Sequence, residues 1–136
     1  MPLLKSLCLV LAACVFLSGC GRNEPLVNVV DAPTDAKAGT SLEEVTKAIM
    51  LAGNDRGWQK TLVSPGLIRA KLITGGGKHV VRVDITYTKD DFSIAYSDSL
   101  NMNYQIRDAE ERIHHKYNSW VQNLKGDIQR SIETLS

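Results

Sequence analysis

The residues of this chain that could do chemistry are few, and their spacing argues against catalysis. Gly75-Gly76-Gly77-Lys78 has the composition of a phosphate loop. Such a loop needs wider-spaced glycines, a Lys followed by Ser or Thr, and then a helix. Here the alternating stretch His79 to Tyr87 follows, so the glycines read as a hairpin turn. His114 and His115 are sequence neighbours, which a helix would point about 100° apart, whereas helical metal ligands are spaced by four. His79 is the only other histidine, so no metal site is expected. Ser64, Ser93, Ser97 and Ser119 sit in no nucleophile elbow. The pairs Glu43-Glu44, Asp90-Asp91 and Glu110-Glu111 fall where helix starts and turns are expected, and helix-dipole and turn chemistry account for them. The reading is a protein with no catalytic residue, no cofactor and no metal.

Charge order says more than charge total. Between Arg56 and Arg82 lie six cations, Arg56, Lys60, Arg69, Lys71, Lys78 and Arg82, and no acid; from Asp84 to Glu111 seven acids face only Lys89 and Arg107. Arg69, Lys71, Lys78 and Arg82 are the candidate anion-binding residues, on the polar face and turn of two expected strands. A two-residue Gly75-Gly76 loop would set Arg69 opposite Arg82, and like charges in that position repel. An anion would relieve the repulsion, with Trp58 beside it if that side chain points outward.

The segment ahead of the domain reads as a leader. Lys5 precedes an uninterrupted apolar run from Leu7 to Phe16, followed by Leu17-Ser18-Gly19-Cys20. The run is too short for a transmembrane helix and has the layout of a secretory signal. Leu-Ser-Gly-Cys resembles, at all four positions, the lipobox of bacterial lipoproteins. That resemblance implies cleavage before Cys20, lipidation of Cys20 and anchoring in a bilayer. Gly21, where inner-membrane lipoproteins of well-studied Gram-negative envelopes carry Asp, implies an outer-membrane lipoprotein facing the periplasm. Cys8 and Cys14 would leave with the leader, so no disulfide is expected. Without Lys5, basic and acidic side chains balance at 15 each. That balance, with export, excludes a nucleic-acid binder. The expected partners are the bilayer through acylated Cys20, and beyond it anionic lipid, lipopolysaccharide or another envelope protein.

The elements that would position these residues follow from periodicity. Residues 1–19 are the signal peptide, 20–40 the lipidated cysteine and a tether, and 41–136 one α+β domain. Within 20–40, Pro25, Pro33 and Gly39 break any period, although Leu26-Val27 and Val29-Val30 offer a short strand. Ser41 and Glu44 have capping-box spacing before the stripe Leu42, Val45, Ile49, Ala52, which predicts a helix over 42–52. Trp58 to Val63, Leu67 to Thr74, His79 to Tyr87 and Phe92 to Ser97 read as four strands. The Gly75-Gly76 loop pairs Ala70 with Val81 and Ile68 with Val83; a Lys89-Asp90 loop pairs Tyr87 with Phe92, Ile85 with Ile94 and Val83 with Tyr96. Both registers set apolar opposite apolar, as a one-faced meander requires. A two-residue Pro65-Gly66 loop would turn Val63 inward and Trp58 and Leu62 outward, and a bulge would reverse this. Asp108 and Glu111 have capping-box spacing for a last helix carrying Ile113, Tyr117, Trp120, Val121, Leu124, Ile128 and Ile132. Gly126 is a candidate kink in that helix. The expected fold is a two-layer, four-stranded antiparallel β-meander with an N-terminal and a long C-terminal helix on one face.

The stretch Ile113-His114-His115-Lys116-Tyr117-Asn118-Ser119-Trp120-Val121-Gln122-Asn123-Leu124 resembles the C-terminal helix of a group of small, uncharacterised bacterial lipoproteins, in which it follows a lipobox and a β-meander. The resemblance implies no activity. Together these features describe a membrane-anchored envelope lipoprotein that acts as a non-enzymatic binding or accessory module, with an enzyme of unrecognised site as the alternative.

Overall fold

In the computed structural model, residues 22–135 are described. The leader and Cys20 lie outside them. The chain runs β1 (Asn23–Pro25), β2 (Val29–Pro33), α1 (Leu42–Leu51), β3 (Gln59–Ser64), β4 (Leu67–Thr74), β5 (His79–Tyr87), β6 (Asp91–Leu100), β7 (Gln105–Arg107), β8 (Glu110–His114) and α2 (His115–Glu133). The class is α+β, but with two antiparallel sheets: a five-stranded one ordered β2-β6-β5-β4-β3 and a three-stranded one ordered β1-β8-β7.

Strands β3 to β6 are consecutive antiparallel neighbours, as the alternation predicts. Tyr87 pairs with Phe92, Ile85 with Ile94 and Val83 with Tyr96, the register expected from the Lys89-Asp90 turn. The β4–β5 register differs. Thr74 pairs with His79, Ala70 with Val83 and Ile68 with Ile85. The turn takes four residues rather than two, because Gly75, Gly76 and Gly77 all adopt left-handed φ. A shift by two residues keeps every side chain on its face, so the apolar pattern could not distinguish the two registers.

On the buried face, Ile68, Leu72, Val81, Val83, Ile85, Phe92 and Ile94 meet Val45 and Ile49 of α1 and Tyr117, Val121, Leu124, Ile128 and Ile132 of α2. The helices touch directly, where the Ser131 hydroxyl donates to the Ala48 carbonyl at 2.7 Å. Helix α1 is capped by Ser41, whose Oγ accepts the Glu44 amide at 3.1 Å. Helix α2 runs unbroken through Gly126. Arg56 and Arg130 both reach Asp127, tying the turn after α1 to α2.

Three expectations need correction. Residues 22–40 are not simply a tether: β1 pairs with β8, and β2 pairs with β6 across a register shift. Asp108 does not cap a helix. It and Ala109 both take positive φ in the turn between β7 and β8, where Arg107 pairs with Glu110. Ile113 is buried, but on a strand, and α2 starts two residues later. Of the two orientations left open for Trp58, it takes the buried one, which goes with a bulge. A register shift between Leu62 and Ser64 then leaves both Leu62 and Val63 partly exposed, at 46% and 45%.

Candidate functional site

Two regions gather polar side chains. The first is the open face of the five-stranded sheet, where the anion site was expected. Gln59, Thr61, Arg69, Lys71, Arg82 and Asp84 surround a depression of about 320 Å³ there. Its electrostatics differ from the expectation because the register differs. Arg69 stands opposite Asp84, and its Nε meets the carboxylate at 3.2 Å. Arg82 pairs with Asp98, with Nη1 at 2.7 Å from Oδ1. The Arg69–Arg82 repulsion that motivated an anion site is absent, because each guanidinium faces a carboxylate across the strand. Lys71 is directly opposite Arg82 and is the one cation of this face without an ion pair among the described residues. Lys78 is not on the face at all. It lies in the four-residue turn, and its carbonyl accepts the Asn101 amide at 2.7 Å.

The second region has no motif in the sequence to announce it. A cleft of about 730 Å³ opens where the β4–β5 turn, the end of β6 and the start of α2 converge. Arg22, His79, Asn101, Asn103, His114, Lys116 and Trp120 are among the residues that line it, and no carboxylate of the described residues does. Backbone pairing brings these distant residues together. The β1–β8 ladder sets Asn23 against His114, which places Arg22 beside the first turn of α2. The Arg22 carbonyl accepts the His115 amide at 2.6 Å, and His115 Nδ1 lies 3.1 Å from the same oxygen. His114 Nδ1 caps α2 by accepting the Lys116 amide at 3.2 Å. His79 Nδ1 donates to the Asn101 carbonyl, 2.9 Å away.

These bonds fix the ring states. A carbonyl only accepts, so His79 and His115 carry a proton on Nδ1. An amide only donates, so His114 Nδ1 is unprotonated and its proton sits on Nε2. The His114 and His115 rings stack with centroids 4.5 Å apart. Burial lowers the His114 pKa, and the neighbouring His115, Lys116, Arg22 and His79 lower it further. Among the described residues no three His, Cys, Asp or Glu side chains group as metal ligands.

An aromatic seam joins the two sheets beside this region. Tyr96 of β6 stacks on Tyr104 at 4.6 Å and meets the Tyr117 ring edge-on at 5.6 Å. The Tyr104 hydroxyl donates to Glu111 of β8 at 2.7 Å, which pushes its pKa up to about 12. Trp120, expected in the core, is only half-buried and also faces the cleft. The sequence signal for the cleft was faint: Lys116 after two histidines, and Arg22 close to Cys20.

Comparison with known proteins returns no match: no protein-family model, no curated protein and no solved structure aligns significantly with the chain.

Proposed function

We propose that this chain is a lipid-anchored protein of the bacterial envelope, acylated on Cys20, held at the outer membrane facing the periplasm, and acting there as a non-enzymatic binding module. The observation that carries the reading is the tetrad Leu17-Ser18-Gly19-Cys20 behind an apolar leader. Each buried acyl methylene contributes about 0.8 kcal/mol, so two or three chains anchor a protein effectively permanently. The fold gives the anchor a consequence. Arg22 is already fixed to His115, and β1 begins at Asn23. Two residues of backbone span at most about 7 Å. A lipid on Cys20 therefore holds the end of the domain formed by β1, β8 and the start of α2 against the membrane surface. No helix among the described residues is long and apolar enough to cross a membrane, and an acyl anchor requires none.

The test is mass spectrometry of the N-terminal peptide from the chain expressed in a Gram-negative host, with membrane fractionation. Acylated Cys20 at the mature N-terminus, lost together with membrane association in Cys20→Ala, is the expected result. An unmodified Cys20 in a protein that still fractionates as the parent does would refute the reading.

A further inference from the structure

We propose that the cleft between the β4–β5 turn and the start of α2 binds a phosphate group, carried by an anionic lipid headgroup or by a free phosphate ester. Arg22 and Lys116 bring two permanent cations to the lining, His79 and His114 bring two imidazoles, and Asn101 and Asn103 bring two amides. Neither Arg22 nor Lys116 forms an ion pair with a carboxylate among the described residues. The contrast with the open face is direct, since there Arg69 and Arg82 are each met by an aspartate.

Cations that converge in a half-enclosed volume without a counter-charge repel one another, and a bound anion removes that repulsion. The cleft volume is within the usual range for a small-molecule site. Phosphate fits the donor set better than a monovalent anion. A phosphate monoester carries nearly two negative charges and three acceptor oxygens, which matches an Arg, a Lys and the His114 imidazole N–H. The side chains must supply these contacts, because the first amides of α2 are already taken by the Arg22 carbonyl and by His114 Nδ1. His114 keeps Nε2–H as its free donor. Trp120 adds an aromatic wall on which the organic part of an ester can rest.

Position suggests where the phosphate comes from. Arg22 lies two residues from Cys20, so lipidation would bring the cleft to the level of the headgroups. The lipid source rests on the anchoring proposed above, whereas the chemistry of the cleft does not.

The experiment uses the full chain in nonionic detergent micelles. Inorganic phosphate is titrated while amide, imidazole and indole NMR signals are followed, and the protein is then floated with phosphatidylcholine vesicles with or without phosphatidic acid. Saturable shifts at Lys116, His79, His114 and Trp120 are expected. Affinity should fall at least about tenfold in the double variant Arg22→Gln/Lys116→Gln and stay unchanged in Lys71→Gln on the open face. Circular dichroism checks that both variants fold. Phosphatidic acid-dependent flotation that the double variant loses assigns the lipid source. Phosphate binding with no gain from phosphatidic acid assigns a free ester. If phosphate leaves these signals unmoved, or the double variant binds as tightly as the parent, the proposal is overturned. The acylation state of Cys20 is read separately, and phosphate binding by Cys20→Ala shows that the cleft works without the anchor.

Discussion

The carbonyl of Arg22 accepts the amide of His115 at 2.6 Å, closing a contact between residues 93 positions apart at the entrance of the domain. The chain is held again a few residues on, where the Leu26 amide donates to the Glu111 carbonyl at 2.9 Å, the Val27 amide to Asn118 Oδ1 at 3.0 Å and the Thr34 amide to the Asp90 carbonyl at 2.9 Å. A flexible tether would exchange all of these amides at solvent rates. Hydrogen exchange followed by mass spectrometry should therefore find residues 26–34 and the His115 amide protected well above an unstructured peptide. Rapid exchange across 26–34 would return this segment to the status of a linker.

His114 makes the start of α2 sensitive to pH. Its Nδ1 can accept the Lys116 amide only when unprotonated. Burial lowers its pKa, and the charged or titratable groups around it, His115, Lys116, Arg22 and His79, all act in the same direction. The unfolded chain, with an ordinary histidine pKa near 6.5, therefore binds this proton more readily than the folded one. The associated stability is fully present above about pH 6.5 and is lost as pH falls through the depressed folded value. Denaturant midpoints should drop between about pH 8 and pH 5. His114→Ala should cost about 1 kcal/mol at the higher pH through loss of the cap, and should flatten that dependence. An unchanged slope in the variant would assign the pH effect to other groups.

Legibility followed the range of the interaction. Local signals are legible in the sequence: the Ser41 cap, the alternation of β4 to β6 and the α2 stripe from Tyr117 to Ile132. The β5–β6 register was also legible, because a short turn fixed it. The β4–β5 register was not, since three glycines permit a longer turn and a two-residue slip leaves the buried face intact. That slip decided the candidate site, turning an Arg69–Arg82 clash into an Arg69–Asp84 pair. The second sheet was hidden for a different reason. Asp108 and Glu111 satisfy a capping-box pattern, and Ile113 lies four residues before Tyr117, so a helix and a strand both bury it. Only the pairing of β8 with β1 settles the matter, and β1 carries no apolar alternation to announce it. The cleft depends on that pairing.

Gly53 terminates α1 in a way that no other residue can reproduce cheaply. Its φ is +74°, and a Cβ placed there would lie 2.9 Å from Trp58 Cδ1 and 3.1 Å from Leu124 Cδ1. The left-handed backbone and the crowding both oppose a side chain. Gly53→Ala should destabilise the protein by about 2 kcal/mol. Because the clash falls on a buried tryptophan, the near-ultraviolet circular dichroism should change with it. A variant within a few tenths of a kcal/mol of the parent would show that Trp58 and Leu124 yield freely.

Tyr117 predicts a change of the opposite sign. Its side chain is fully buried at the base of α2, and its hydroxyl has no hydrogen-bond partner among the described residues. Burial raises its pKa well above the usual tyrosine value, and Tyr96 and Glu111 add to the shift, so the phenol stays neutral throughout the physiological range. The ring contributes apolar packing and an edge-on contact with Tyr96, whereas the hydroxyl contributes only the cost of leaving water. Tyr117→Phe keeps the ring and removes that cost, so it should raise stability by about 1 kcal/mol. Tyr117→Ala removes the ring as well and should cost about 3 to 5 kcal/mol. Urea denaturation of the two variants separates the contributions. If Tyr117→Phe is less stable than the parent, the hydroxyl is satisfied in solution by a water reaching the core, and the interior at the start of α2 is wetter than its packing implies.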